Sequence, residues 1–168
     1  MSDKTDDNKR FEPRIVAFFC NWCTYTAADL AGTARMSYAP NVRVVRIMCS
    51  GRLDPQFILA ALRNGADGVL IGGCHPGDCH YQEGNYKTLR RITLLKKFLS
   101  AMGIEESRVR LEWIAASEGD KVQKVINSMT EEIRRLGPLN LEAMSSLKPE
   151  ELIDIDEKET VLAPGGHP

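Results

Sequence analysis

No stretch of this 168-residue chain is apolar for long enough to cross a bilayer. Met1-Ser2-Asp3-Lys4 opens a polar segment rather than a signal peptide, so the expectation is a cytoplasmic protein without a membrane partner. No phosphate loop or dinucleotide fingerprint is present, because Gly72-Gly73 and Gly77 have the spacing of neither. Long internal repeats and low-complexity segments are also missing. Five cysteines, an odd number, make a poor disulfide framework, and a reducing compartment disfavours one further. What remains is ordinary: 43% hydrophobic and 27% charged residues, enough for one globular domain with its own core and no need of metal or disulfide staples.

The formal net charge of −1 conceals an asymmetry. Residues 14–137 carry 17 Lys and Arg against 12 Asp and Glu, whereas residues 138–168 carry 2 against 7. The chain divides accordingly into a polar leader (1–12), a mildly basic folded domain (13–137) and an acidic C-terminal arm (138–168). The arm reads either as a solvated terminus with two short helical turns or as a docking element for a partner.

Within the domain one pattern occurs four times. RIVAFFC (14–20), VRVVRIMC (42–49), GVLIGGC (68–74) and RVRLEWIAAS (108–117) read as strands, each followed by a helix. The helices are predicted over 24–38, 54–65, 86–103 and 120–137. Asp54 is a plausible N-cap with Pro55 at the first helical position and Gly65 as the stop. In the third helix Leu89, Ile92, Leu95, Leu99 and Met102 recur at helical spacing, and Met36, Met102 and Met129 read as core fillers. Repeated strand–helix units imply right-handed crossovers, so the fold class is α/β: a small doubly wound parallel sheet in the flavodoxin-like order 2-1-3-4, with helices on both faces.

On this reading Cys20, Cys49 and Cys74 end the first three strands, Cys23 opens the first helix and Cys79 lies in the loop after the third strand. All five converge on the carboxyl edge, where open parallel sheets bind ligands. Scattered core cysteines would not choose that edge together. A thioredoxin-like dithiol explains only Cys20-Asn21-Trp22-Cys23 and idles three thiols. A structural zinc ion usually rescues domains too small to build a core. An iron–sulfur cluster uses four soft anionic ligands, and N–H groups near Gly51, Gly72, Gly73 and Gly77 would tune it, so this reading is favoured.

The segments CNWCTYTAADLAG, RIMCSGRLDP and GADGVLIGGCHPGDCHYQEGNYK, in this order, resemble the delta (iron–sulfur) subunit of methyl-viologen-reducing nickel–iron hydrogenases. That family associates with heterodisulfide reductase in methanogens and related anaerobes. The likeness spans about residues 12–137 and omits the acidic arm. It implies one 2Fe–2S cluster and no catalytic site of the chain's own. It further implies electron transfer from a hydrogenase or a formate dehydrogenase to the flavin-bearing subunit of heterodisulfide reductase, where the flavin carries out electron bifurcation. Cys20, Cys23, Cys49, Cys74 and Cys79 are then the ligand pool, with one to spare. Either Cys20, Cys23, Cys74 and Cys79 serve, or Cys49 replaces Cys79, and the Met48-Cys49-Ser50-Gly51 context tilts slightly towards keeping Cys49. The alternatives left open are a stand-alone thiol–disulfide oxidoreductase using Cys20 and Cys23, and a zinc-stabilised interaction module.

Other residues have plainer readings. His75 and His80 are expected to donate hydrogen bonds rather than bind metal. Trp22 reads as a packing residue and Arg52 as a surface arginine. Lys87, Arg90, Arg91, Lys96 and Lys97 form the polar face of an amphipathic helix, not a nucleic-acid surface.

Overall fold

The computed structural model describes residues 11–141; most of the leader and of the acidic arm, with the expectations for them, therefore lie outside the described residues. Four strands, β1 (Ile15–Cys20), β2 (Val42–Ile47), β3 (Gly68–Gly73) and β4 (Val109–Trp113), alternate with helices α1 (Thr24–Thr33), α2 (Pro55–Arg63), α3 (Gly84–Ala101) and α4 (Gly119–Leu136). Short 3-10 turns precede α2 and β4, at Ser50–Arg52 and Glu106–Arg108. The sheet order is β2-β1-β3-β4, and every pairing is parallel, as the sequence pattern predicts.

Side-chain alternation on β1 explains the two cores. Ile15, Ala17 and Phe19 project to one face and pack with Leu70 against Ala27 of α1 and Val122, Ile126, Met129 and Ile133 of α4. Phe18 projects to the other face and joins Val69 and Ile71 against Ile58 and Leu62 of α2 and Ile92, Leu95 and Leu99 of α3. Central strands buried on both faces carry near-continuous apolar runs, and every residue of β3 is buried.

Local chemistry sets the helix ends. The Asp54 side chain accepts the Gln56 N–H at 2.9 Å, and α2 stops before Gly65, whose φ of +92° suits a residue without Cβ. α1 is shorter than its apolar pattern predicts. Arg35 turns left-handed at φ 54°, while Met36 N–H donates to Ala31 O and Arg35 N–H to Gly32 O, the paired bonds of a Schellman ending. α3 begins two residues earlier than predicted and buries a narrower stripe. Leu89 and Met102 are 42% and 44% exposed, because Thr88, Ile92, Leu95 and Leu99 already fill the space against the sheet. Of the expected core methionines only Met129 is fully buried; Met36 is half-buried.

The amino edge of the sheet is tied together by Asp67, which is buried. Its carboxylate accepts the Arg14 N–H at 2.8 Å and the Leu139 N–H at 3.1 Å, joining the start of β1 to the chain that leaves α4. Its carbonyl accepts from buried Arg108, which also bonds Gly137 O and pairs with Glu105 at 2.7 Å. Asp67→Ala strands two backbone donors in this setting and is expected to cost about 3 kcal/mol of stability. Urea denaturation of the two proteins measures it, and a loss below about 1 kcal/mol would show that water replaces the carboxylate.

Candidate metal centre

Parallel strands all end at the same edge, and here that edge carries every cysteine of the chain. Cys20 is the last residue of β1; Cys49 lies two residues beyond β2 and Cys74 one beyond β3. Cys23 is the N-cap of α1, and Cys79 sits in the loop before α3. All five are free and buried.

They form two adjoining groups. The sulfurs of Cys20, Cys23 and Cys74 lie within 4.8 Å of one another, with Cys20 and Cys74 at 3.8 Å. Cys49 and Cys79 are 3.9 Å apart. The separations are far beyond a disulfide bond length of about 2 Å, so these thiols face one another unbonded.

Their electrostatics describe one shared charge. The Cys20 thiol is pulled far below its ordinary value by hydrogen bonds from Cys23 and Cys74 and, to a lesser degree, by backbone N–H groups of Trp22 and Ser50. Cys23 is pushed up to about 11, first by donating to Cys20, and Cys74 is pushed up strongly for the same reason. Cys49 is raised by burial, by the nearby Cys79 and by Cys20, against which the Gly51 N–H works at 3.3 Å from its sulfur. A thiol cluster of this kind loses further protons when a cation neutralises it, which is the donor set of a soft metal or an iron–sulfur group.

The surrounding backbone is cut to fit. A Cβ on Gly84, the first residue of α3, would fall inside the radius of Cys49 Sγ and lie 3.1 Å from Cys79 Sγ. A Cβ on Gly51 would lie 2.6 Å from Gly84 Cα, so these two glycines let the Ser50–Arg52 turn and α3 close around the Cys49–Cys79 pair. Asn85, also buried, donates to Cys74 O at 3.2 Å and His75 O at 2.7 Å and so clamps the β3 loop to α3. Arg91 holds the same turn through Gly51 O and Leu53 O.

The sequence reading missed Gly84 and Asn85, although a glycine opening a helix straight after a cysteine loop was the available signal. Of the glycines it named, Gly51 does present an N–H to sulfur. Gly72 instead makes room for Thr24, and Gly73 for Trp113 and Ser50. His75 bonds Glu118 at 2.8 Å, and His80 stacks on Trp22 with ring centroids 3.9 Å apart. Trp22 is 44% exposed and donates to the Tyr81 hydroxyl at 3.3 Å, so it links the Cys20–Cys23 loop to the Cys79 loop at the surface. A cleft of about 880 Å³ lies at the opposite, amino edge between Pro13, Pro40, Arg43 and Asn64, and no cysteine lines it.

The fold and the site define a doubly wound α/β domain with a buried polythiol centre at its carboxyl edge. The chain belongs to the FlpD family, described as methyl-viologen-reducing hydrogenase, delta subunit, whose family model matches residues 15–137. It is 59% identical over 135 residues to an F420-non-reducing hydrogenase iron–sulfur subunit of Archaeoglobus profundus, a match covering 80% of this chain and 98% of the relative. A Methanococcus voltae protein, the vhc iron–sulfur subunit of an F420-non-reducing hydrogenase, is 56% identical over 133 residues, covering 79% and 92%. The same domain is 45% identical over 130 residues to part of a ferredoxin/F420H2-dependent CoB–CoM heterodisulfide reductase subunit of Methanosarcina acetivorans. That match covers 77% of this chain but 16% of the longer relative. Among the described residues no helix is long and apolar enough to cross a membrane.

Gly84→Ala improves helix propensity yet pushes a methyl group onto Cys49. In the metal-free reduced protein it is expected to speed maleimide labelling of Cys49 on the order of tenfold, with an unchanged circular dichroism spectrum. Equal labelling rates would show that α3 yields instead of the thiol.

Proposed function

We propose that the chain is an electron-transfer subunit holding one 2Fe–2S cluster. Cys20, Cys23 and Cys74 supply three ligands and Cys49 the fourth, with Cys79 held beside it as the spare thiol. The observation that carries this reading is the set of three buried sulfurs within 4.8 Å at the carboxyl edge, with a further pair adjoining. The choice of Cys49 is supported by the Gly51 N–H directed at its sulfur at 3.3 Å.

When bound, the cluster supplies one-electron redox chemistry. The chain's own residues bury the thiolates, exclude water and offer N–H groups to sulfur, which stabilises the more negative, reduced state. The electron donor is a hydrogenase in preference to a formate dehydrogenase, following the names of the relatives. The acceptor is the flavin-bearing subunit of heterodisulfide reductase, where bifurcation takes place. The occurrence of the same domain within a longer heterodisulfide reductase chain supports that acceptor.

The thiol–disulfide alternative needs an accessible attacking sulfur, and Cys20 and Cys23 are 1% and 5% exposed. Among the described residues the sheet is parallel throughout and has no β-hairpin half of a thioredoxin-like fold.

Anaerobic purification, metal analysis and electron paramagnetic resonance of the dithionite-reduced protein test the assignment. About two irons per chain and a 2Fe–2S signal are expected. Cys20→Ser, Cys23→Ser, Cys49→Ser and Cys74→Ser should each abolish the native signal, and Cys79→Ser should retain it. Zinc without iron would overturn the cluster, and loss of the signal in Cys79→Ser but not in Cys49→Ser would exchange the fourth ligand.

A further inference from the structure

α3 carries an apolar stripe that nothing among the described residues covers. Leu94, Phe98 and Met102 follow one another at four-residue spacing, which sets them on one side of the helix, and they are 71%, 54% and 44% exposed. Arg90 and Lys97, four residues before Leu94 and three after it, lie beside the stripe, and Lys87 continues its line towards the helix start. α3 contains no acidic residue. Several cations elsewhere have carboxylate partners: Arg110 pairs with Glu112, Lys124 with Asp120 and Arg134 with Glu12. Among the described residues Lys87, Arg90 and Lys97 have none. A basic helix with an exposed apolar stripe is complementary to a segment that is apolar and acidic at once.

We propose that the chain's own acidic arm docks on this stripe through residues 150–157, Glu-Glu-Leu-Ile-Asp-Ile-Asp-Glu. Those residues combine Leu152, Ile153 and Ile155 with five carboxylates, matching both the stripe and its basic border. The path of the chain leads there. After α4 the backbone crosses the amino edge, where Asp67 holds the Leu139 N–H. Leu139 and Leu141 then pack against the core that α2 and α3 build on the face opposite α4. α3 ends at this same edge, because it leads into the start of β4. Glu150 is nine residues beyond Leu141, a reach of about 30 Å, whereas the 18 residues of α3 span about 27 Å. The acidic segment can therefore settle anywhere along the stripe, and its tether keeps it at high effective concentration. A second copy is a poorer occupant, because two such helices would set cation against cation. In the amino-edge cleft Glu12 already supplies a carboxylate to Arg134, so that site competes weakly for the arm. The family model stops at residue 137, which leaves the arm outside the shared domain, and the inference does not depend on which group the thiols hold.

Digestion of the full chain with a glutamyl endopeptidase, followed by mass spectrometry, tests the proposal. Two double variants remove the stripe or its charge: Leu94→Ser with Phe98→Ser, and Arg90→Glu with Lys97→Glu. In each, cleavage within residues 150–157 is expected to run about tenfold faster than in the unaltered chain, with an unchanged circular dichroism spectrum. Leu30→Ser, on α1 across the sheet where Leu30 is 41% exposed, should be cleaved as the unaltered chain is. A photoreactive phenylalanine analogue at position 98 is expected to cross-link to residues 150–157 of the same chain. Unchanged cleavage in both double variants overturns the proposal, as does equal acceleration by Leu30→Ser. So do cross-links from position 98 that join two copies, that run to other parts of the chain, or that form only when a partner protein is added.

Discussion

The direction of the strands is the constraint on which everything else depends. Four parallel strands joined by helical crossovers must all finish at one edge, so residues distant in the chain, such as Cys20, Cys49 and Cys74, arrive together without a dedicated loop to carry them. The opposite edge does the structural work. There Asp67 and Arg108 bind the starts of β1 and β3 to the residues after α4, well away from the thiols. Stability and chemistry are thus separated by the length of a strand.

Crowding is the second constraint. Three buried sulfurs within 4.8 Å hold one negative charge comfortably and resist a second, as the lowered Cys20 and the raised Cys23 and Cys74 indicate. Gly51 and Gly84 belong to the same logic. They give up side chains so that a 3-10 turn and the start of α3 can approach the Cys49–Cys79 pair, and Asn85 then bonds the β3 loop in place.

The exposed surfaces follow from how few helices there are. Among the described residues, two helices on each face cover β1 and β3, leaving the middle of β2 exposed and Leu94 and Phe98 in water on the outer side of α3. A free-standing domain gains nothing from such exposure, whereas a protein that passes electrons needs faces for its neighbours.

Much of this was legible in the residues. Strand–helix alternation implies the parallel sheet, Asp54-Pro55 marks a helix start, and the cysteine positions point to the carboxyl edge, because periodicity and capping are local properties of the chain; the order 2-1-3-4 was the simplest that alternation allows, and the structure has it. Other features were not. The early end of α1 depends on Arg35 entering the left-handed region, and the exposure of Leu89 and Met102 depends on how much of α3 the sheet can cover. The grouping of five thiols into three and two, and the need for no side chain at Gly84, arise where the Ser50–Arg52 turn meets α3, residues more than thirty positions apart. Local patterning therefore specified the elements and the edge at which chemistry gathers. Which sulfurs meet, and which surface stays uncovered, was decided by tertiary packing, because distances between separate elements are set only when they are pressed against a common sheet.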